Sequence, residues 1–266
     1  MTSANPREVL TRDAEPPAMV LRYDDHADAL IDVFVPPALE TLPVAHPLVV
    51  LLHGGFWRSE FDRHHLRPLA NALASAGCTV AVPEFRRSGA GGQWPIIGAD
   101  VEAALAAVRA LLADSAPAYV DATAPYLLVG HSSGGHLAIW AGLRATPSTV
   151  RRIVALAPIS DLTECARLRL DHSAAQELLG GEPADVPEAY ADADPLRLLH
   201  GGVPVTVIHG AADDRVPVSM SRSLAAAHPE VDYIELPGVE HFALIDPRTD
   251  AFAAAVLPSC QPPRAS

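Results

Sequence analysis

The chain has 266 residues, 49% of them apolar and 19% charged, which suits one globular domain with a full core. Its net charge of −13 argues against nucleic acid or an anionic membrane as partner, because both select a basic footprint. No apolar run approaches the roughly 20 residues that span a bilayer, and the first residues lack the apolar centre of an export signal. The three cysteines, Cys78, Cys165 and Cys260, are far apart and suit reduced thiols in a cytoplasmic protein rather than a disulfide framework.

Residues 1–19 are polar and proline-bearing and are expected to form a loosely held arm. Residues 30–35 are predicted as a strand stopped by Pro36 and Pro37, and 47–52 as a strand buried on both faces, since a short continuous apolar run fits that setting. Helical spacing over 66–76 ends at Gly77, a favourable stop signal. Then come a strand at 78–82, a glycine-rich loop at 86–95, an alanine-rich helix at 97–113, a strand at 126–129, a helix at 134–144 and a strand at 153–157. Between Pro158 and Gly202 the alternation breaks, leaving only short helical stretches such as 173–179. A parallel crossover needs about a dozen residues, so the excess is expected to form a small cap. The pattern resumes with a strand at 203–208, a helix at 219–227, a strand at 231–236 and a closing helix at 248–256. Alternating strands and helices imply a mostly parallel sheet with helices on both faces, in a single domain over 1–266. The chemistry of such a sheet gathers at the carboxyl ends of its strands.

Gly130-His131-Ser132-Ser133-Gly134 stands between a strand and a helix and fits G-x-S-x-G. A serine on this sharp turn projects its hydroxyl from the top of the sheet, and glycines two residues to either side remove side chains that would clash. Such a hydroxyl needs a base, and the base an orienting carboxylate. The strand ending at His209 leads into Asp213 and Asp214; either carboxylate suits the acid, and Asp213 is favoured over Asp214 and its neighbour Arg215. The last strand leads into His241, placed for the base. Serine, acid and histidine thus fall in the chain order known for nucleophiles on this kind of turn. The backbone N–H of Ser133 and one from the loop His53-Gly54-Gly55-Phe56-Trp57, at Gly55 or Phe56, are expected to hold an oxyanion. Trp57 and Trp94 suit either a substrate pocket or the core, and Glu84 either a structural or a pocket-shaping role. Adjacent histidines on a helix point apart, so His64 and His65 predict no metal site. No phosphate-cradling glycine loop appears, so no nucleotide is implied.

Taken together, His53-Gly54-Gly55-Phe56-Trp57, Gly130-His131-Ser132-Ser133-Gly134-Gly135-His136-Leu137, His209-Gly210 with Asp213 and Val216-Pro217, and Glu240-His241-Phe242 resemble the α/β-hydrolase superfamily. More narrowly they resemble its bacterial esterase and arylformamidase (kynurenine formamidase) branch. The resemblance covers about residues 30–255. It implies an α/β-hydrolase fold with Ser132, Asp213 and His241 as triad and Gly55, Phe56 and Ser133 around the oxyanion. The H-G-G-x-W form is similar to the formamidases, whereas the hormone-sensitive-lipase branch carries a third glycine where this chain has Phe56. Many relatives carry alanine at Ser133, a difference that leaves the backbone N–H unchanged. The implied activity is cofactor-free acyl transfer to water from a small ester or aryl formamide. A biosynthetic acyltransferase or thioesterase, or a non-catalytic binding protein on the same fold, is the alternative.

Overall fold

A computed structural model describes residues 5–37 and 46–261. Eight strands form one sheet: β1 (Met19–Arg22), β2 (Leu30–Phe34), β3 (Leu48–Leu52), β4 (Thr79–Pro83), β5 (Tyr126–His131), β6 (Val150–Leu156), β7 (Val205–Gly210) and β8 (Asp232–Leu236). Their spatial order is β1-β2-β4-β3-β5-β6-β7-β8. The β1–β2 and β2–β4 pairs are antiparallel and the remaining pairs parallel. Strand β1 has no counterpart in the sequence reading, whose arm ends at Met19 and which assigned no element to residues 20–29. Its four residues alternate half-buried and exposed at the sheet edge, a pattern too short to stand out from a polar segment.

Helices α1 (Arg67–Ser75), α2 (Ile96–Ser115) and α3 (Ser133–Leu143) follow β3, β4 and β5. The side-chain period of two splits every central strand between two cores. Leu48, Val50 and Leu52 of β3 join the core that packs with α2 and α3, while Val49 and Leu51 join the one that holds Leu69 and Leu73 of α1. That double burial explains why β3 and β4 read as unbroken apolar runs.

The excess between β6 and β7 holds four short helices and no strand: α4 (Leu162–Arg167), α5 (Leu170–Leu179), α6 (Pro187–Ala193) and α7 (Pro195–Leu198). Its side chains Leu162, Cys165, Leu178 and Tyr190 belong to the same core as α3. The start of α5 is a left-handed turn, with positive φ at Asp171, His172 and Ser173. Arg58 of the loop after β3 supports it, donating to the Asp171 carboxylate (2.9 Å) and to the Asp171 carbonyl (2.8 Å). After α8 (Val218–Ala227) and β8 the chain closes in a π-helical turn, Phe252–Val256, that runs into α9 (Leu257–Cys260).

The N-terminal segment departs from expectation. Residues 1–4 of the arm lie outside the described residues, but Pro6–Thr11 form a 3-10 helix capped by Asn5. Val9 is fully buried, and both terminal nitrogens of Arg12 donate to Asp246 near the other end of the chain. Val9, Leu10 packed against the same core, and a bidentate ion pair dock a segment whose composition suggested a free tail. All three cysteines are buried and unpaired. Among the described residues no helix is long and apolar enough to cross a membrane.

Candidate active site

The candidate residues follow the carboxyl ends of β3, β5, β7 and β8, four strands of the parallel part of the sheet. Ser132 leaves β5 in a sharp turn with φ 58° and ψ −121°, a conformation that costs an L-residue about 1–3 kcal/mol and persists only where its surroundings impose it. Its N–H donates to Leu156 O at 2.8 Å, and its carbonyl accepts the N–H of His136, in the first turn of α3. The flanking glycines are required by close approach: a Cβ on Gly130 would stand 2.1 Å from Gly134 O, and one on Gly134 2.3 Å from Leu52 O.

His241 opens a short 3-10 turn that Glu240 caps through the Phe242 N–H. Its Nδ1 lies 2.6 Å from Asp213 Oδ2, so Nδ1–H donates to the carboxylate and Nε2 is left as the acceptor. The Asp213 side chain is fully buried. Its Oδ2 also accepts from His209 Nε2 (3.1 Å), and its Oδ1 accepts the backbone N–H groups of Arg215 and Val216, both at 2.8 Å. Burial alone would push this carboxyl up, but the hydrogen bonds from His209, His241 and the Val216 N–H hold it well below the usual carboxylate range. Asp214 is exposed and makes none of these contacts; the structure brings Asp213 to His241.

Ser132 and His241 line one narrow cavity of about 30 Å³ with Gly55, Phe56, His131, Leu10, Phe61, His65, Arg215 and Phe242. No hydrogen bond joins Ser132 Oγ to His241 among the described residues, and such contacts often tighten only when substrate binds. The loop after β3 runs through three consecutive positive φ angles, at Gly55, Phe56 and Trp57. Among the described residues the N–H groups of Gly55 and Phe56 donate to no protein acceptor, nor does that of Ser133, the first residue of α3. Buried N–H groups are almost always paired, so three unclaimed donors beside a cavity are a place for a developing negative charge.

Of the two settings left open for Trp57 and Trp94, the pocket is not the one found at this cavity, which neither lines. An indole N–H needs an acceptor when buried, and both find one elsewhere. Trp57, 1% exposed, donates to His136 Nδ1 at 3.2 Å. Trp94 donates to Asp192 of α6 at 2.9 Å and packs edge-on against Trp140. Among the described residues no His, Cys, Asp or Glu group is placed to hold a metal. His64 pairs with Asp62 while His65 is buried against His53 and Phe61. Glu84, left open above, is buried and bonds His53, the first residue after β3. His209 was legible as the opening of His209-Gly210-x-x-Asp213, whereas nothing local marked Leu10 or Phe61 as cavity residues.

A model of the BD-FAE family matches residues 31–227. The chain belongs to the BD-FAE family. Esterase LipQ of Mycobacterium tuberculosis (strain ATCC 25618 / H37Rv) is 27% identical over 220 residues, 73% of this chain and 50% of that protein. The BD-FAE chain thus spans about half the length of the curated relative it matches. In fold it is similar to a truncated carbohydrate esterase from gut microbiota (TM-score 0.76, 21% identity, 92% of this chain and 99% of that one). It is similar as well to an inhibited esterase B from Lactobacillus rhamnosis (0.73, 21%, 96% and 89%) and to Thermogutta terrifontis esterase 2 phosphoramylated by tabun (0.68, 22%, 91% and 91%). At these identities the likeness shows the α/β-hydrolase fold.

Proposed function

We propose that this BD-FAE protein is a serine hydrolase that cleaves small acyl esters through an acyl-enzyme. The observation that carries the reading is the convergence, on one cavity, of Ser132 at a strained turn and His241 held by Asp213 at 2.6 Å; beside them Gly55 and Phe56 offer unclaimed N–H groups. His241 Nε2 takes the proton from Ser132 Oγ as the oxygen attacks the substrate carbonyl. The N–H groups of Gly55, Phe56 and Ser133 hold the oxyanion, and His241 returns the proton to the leaving oxygen. Water, deprotonated by His241, then attacks the acyl-serine and releases the acid. Asp213 keeps the ring in the tautomer with Nδ1 protonated and stabilises the imidazolium. Esterase LipQ and the structural neighbours, one of them modified by an organophosphate, support this class of chemistry.

The cavity beside Ser132 is narrow and is walled by the apolar side chains of Leu10, Phe56 and Phe61, which favours a small acyl group. The same smallness supports a second reading, hydrolysis of an aryl formamide, whose formyl group is the smallest acyl group. A fluorophosphonate probe is expected to label Ser132, and Ser132→Ala to lose both the label and at least about 10³-fold in kcat with an unchanged melting temperature. Acetyl, butyryl and octanoyl esters assayed beside N-formylkynurenine rank the two readings. No label on folded protein would overturn both in favour of a binding role.

A further inference from the structure

Arg215 lines the Ser132 cavity. Burial keeps the His65 and His131 rings of that cavity uncharged, so apart from the triad histidine the charge standing there is the Arg215 guanidinium. The triad acid fixes where this side chain starts, because the Arg215 N–H donates to Asp213 Oδ1 at 2.8 Å. Its guanidinium carbon stands 5.8 Å from the centre of the Phe56 ring, on the oxyanion loop, a range at which a ring face attracts a cation. The side chain is 31% exposed, so its head sits where the cavity meets solvent.

This guanidinium is weakly claimed by the protein. Among the described residues its one side-chain acceptor is Asp171 Oδ1, 3.4 Å from Nη2, and neither Nε nor Nη1 donates to a protein atom. Arg58 holds the same Asp171 more closely, at its other oxygen (2.9 Å) and at its carbonyl (2.8 Å), so Asp171 keeps a partner when Arg215 turns to a ligand. By contrast Arg12, Arg86 and Arg222 each set two nitrogens on the two oxygens of one carboxylate. A planar fork of donors left open at the rim of a reactive cavity matches a carboxylate in shape and charge. One guanidinium balances a monoanion and leaves a phosphate dianion half unpaired.

We propose that Arg215 is a specificity-determining residue that selects esters whose leaving alcohol carries a carboxylate. The proposal rests on the ester hydrolysis inferred above. The cavity wall of Leu10, Phe56 and Phe61 is close and apolar, so the acyl group is small and uncharged, and the carboxylate belongs to the alcohol that extends toward solvent. The ion pair is made alike in ground and transition states, so it lowers KM and leaves kcat in place. Hydrogen bonds to a charged group at such a partly exposed rim are worth about tenfold in KM, and salt screens them.

The test compares 4-acetoxybenzoate with 4-acetoxybenzamide, which share the acetyl group and the ring, in the full-length protein and in Arg215→Met. The intrinsic reactivities of the two esters cancel between the two proteins. The kcat/KM ratio of acid over amide is expected to fall about tenfold in the variant, through the KM of the acid. An unchanged ratio, even with both esters slowed, marks a structural role and overturns the proposal. Should the variant not fold, the parent decides: its ratio is expected to fall severalfold as sodium chloride rises from about 0.02 to about 0.5 M, and indifference to salt overturns the proposal. Calorimetry separates this inference from the proposed function. Ser132→Ala is expected to bind 4-acetoxybenzoate about tenfold more tightly than the Ser132→Ala, Arg215→Met double variant does, and equal binding overturns the selection by Arg215. Such binding in a chain whose parent hydrolyses neither ester supports the carboxylate site and overturns the ester reading, so the two failures are told apart.

Discussion

Asp213 accepts four hydrogen bonds, two at each oxygen, and only one of them comes from His241. The backbone pair from Arg215 and Val216 fixes the carboxylate plane, and His209, itself bonded to the buried Ser221 hydroxyl at 2.7 Å, fixes which oxygen faces the base. Removing the charge at this point leaves the shape of the site but selects the wrong tautomer of His241, a change that costs serine hydrolases on the order of 10⁴ in kcat. Asp213→Asn is therefore expected to lose about 10³–10⁴-fold in kcat with KM nearly unchanged. The exposed Asp214, changed to Asn, is expected to stay within about twofold. Steady-state kinetics on an acetyl ester compares the two, and a larger loss at Asp214 would reverse the assignment. From sequence these acids were separated only by preference, because both follow β7 within a few residues and direction is a property of the folded loop.

At the scale of elements, the N-terminal 3-10 helix is the piece that most changes the picture of the site. Leu10 stands in the wall of the Ser132 cavity and of the adjoining surface groove of about 450 Å³, together with Phe61 and His65. Those three side chains separate a tight apolar space from a wider polar one that holds Arg12, Glu60, Asp62, His64 and Arg67. Shortening Leu10 to Ala opens the partition where a longer acyl chain would pass. The expected outcome is a shift of the kcat/KM ratio from acetyl toward butyryl esters by about tenfold, the worth of one or two methylenes in an apolar pocket. Arg12→Ala, which frees the helix from Asp246, is expected to change selectivity in the same direction. An unchanged ratio in both variants would show that the arm does not bound the acyl group.

Three buried histidines set the acid limit of the whole molecule. Burial keeps His131 well below its ordinary value, and lowers His136 to about 4 and His65 to about 3. Their folded values lie below the unfolded value near 6.5, so the unfolded chain binds more protons as the pH falls below that point. Each ring then removes up to about 1.4 kcal/mol of stability per pH unit. Asp194 works the other way. Its burial, with the Asp161 charge adding to it, raises it to about 6, so its contribution is present in acid and is lost as the pH rises through 6. Asp194 and Glu240, also raised by burial, do not offset three rings, and the depressed carboxyls of Asp213 and Glu84 add to the loss below their unfolded range. Calorimetry is expected to show Tm falling steadily from pH 6.5 to 4.5, and a flat Tm over that interval would contradict the burial of these rings.

The sequence by itself determined the alternation of strands and helices, the G-x-S-x-G turn and the placement of Ser132, Asp213 and His241 beyond successive strands. These are local signals: hydrophobic period, glycine at a turn that excludes side chains, and residues a few positions past a strand end. Tertiary structure alone decided which acid meets His241, where the indoles of Trp57 and Trp94 find acceptors, and that the arm is docked. It also decided that Glu84 meets His53. Each of these depends on a partner brought from elsewhere in the chain: Asp213 to His241, Trp94 to Asp192, Arg12 to Asp246, His53 to Glu84. Hydrogen-bond direction and desolvation are set by such partners, and neither has a period that a sequence can display.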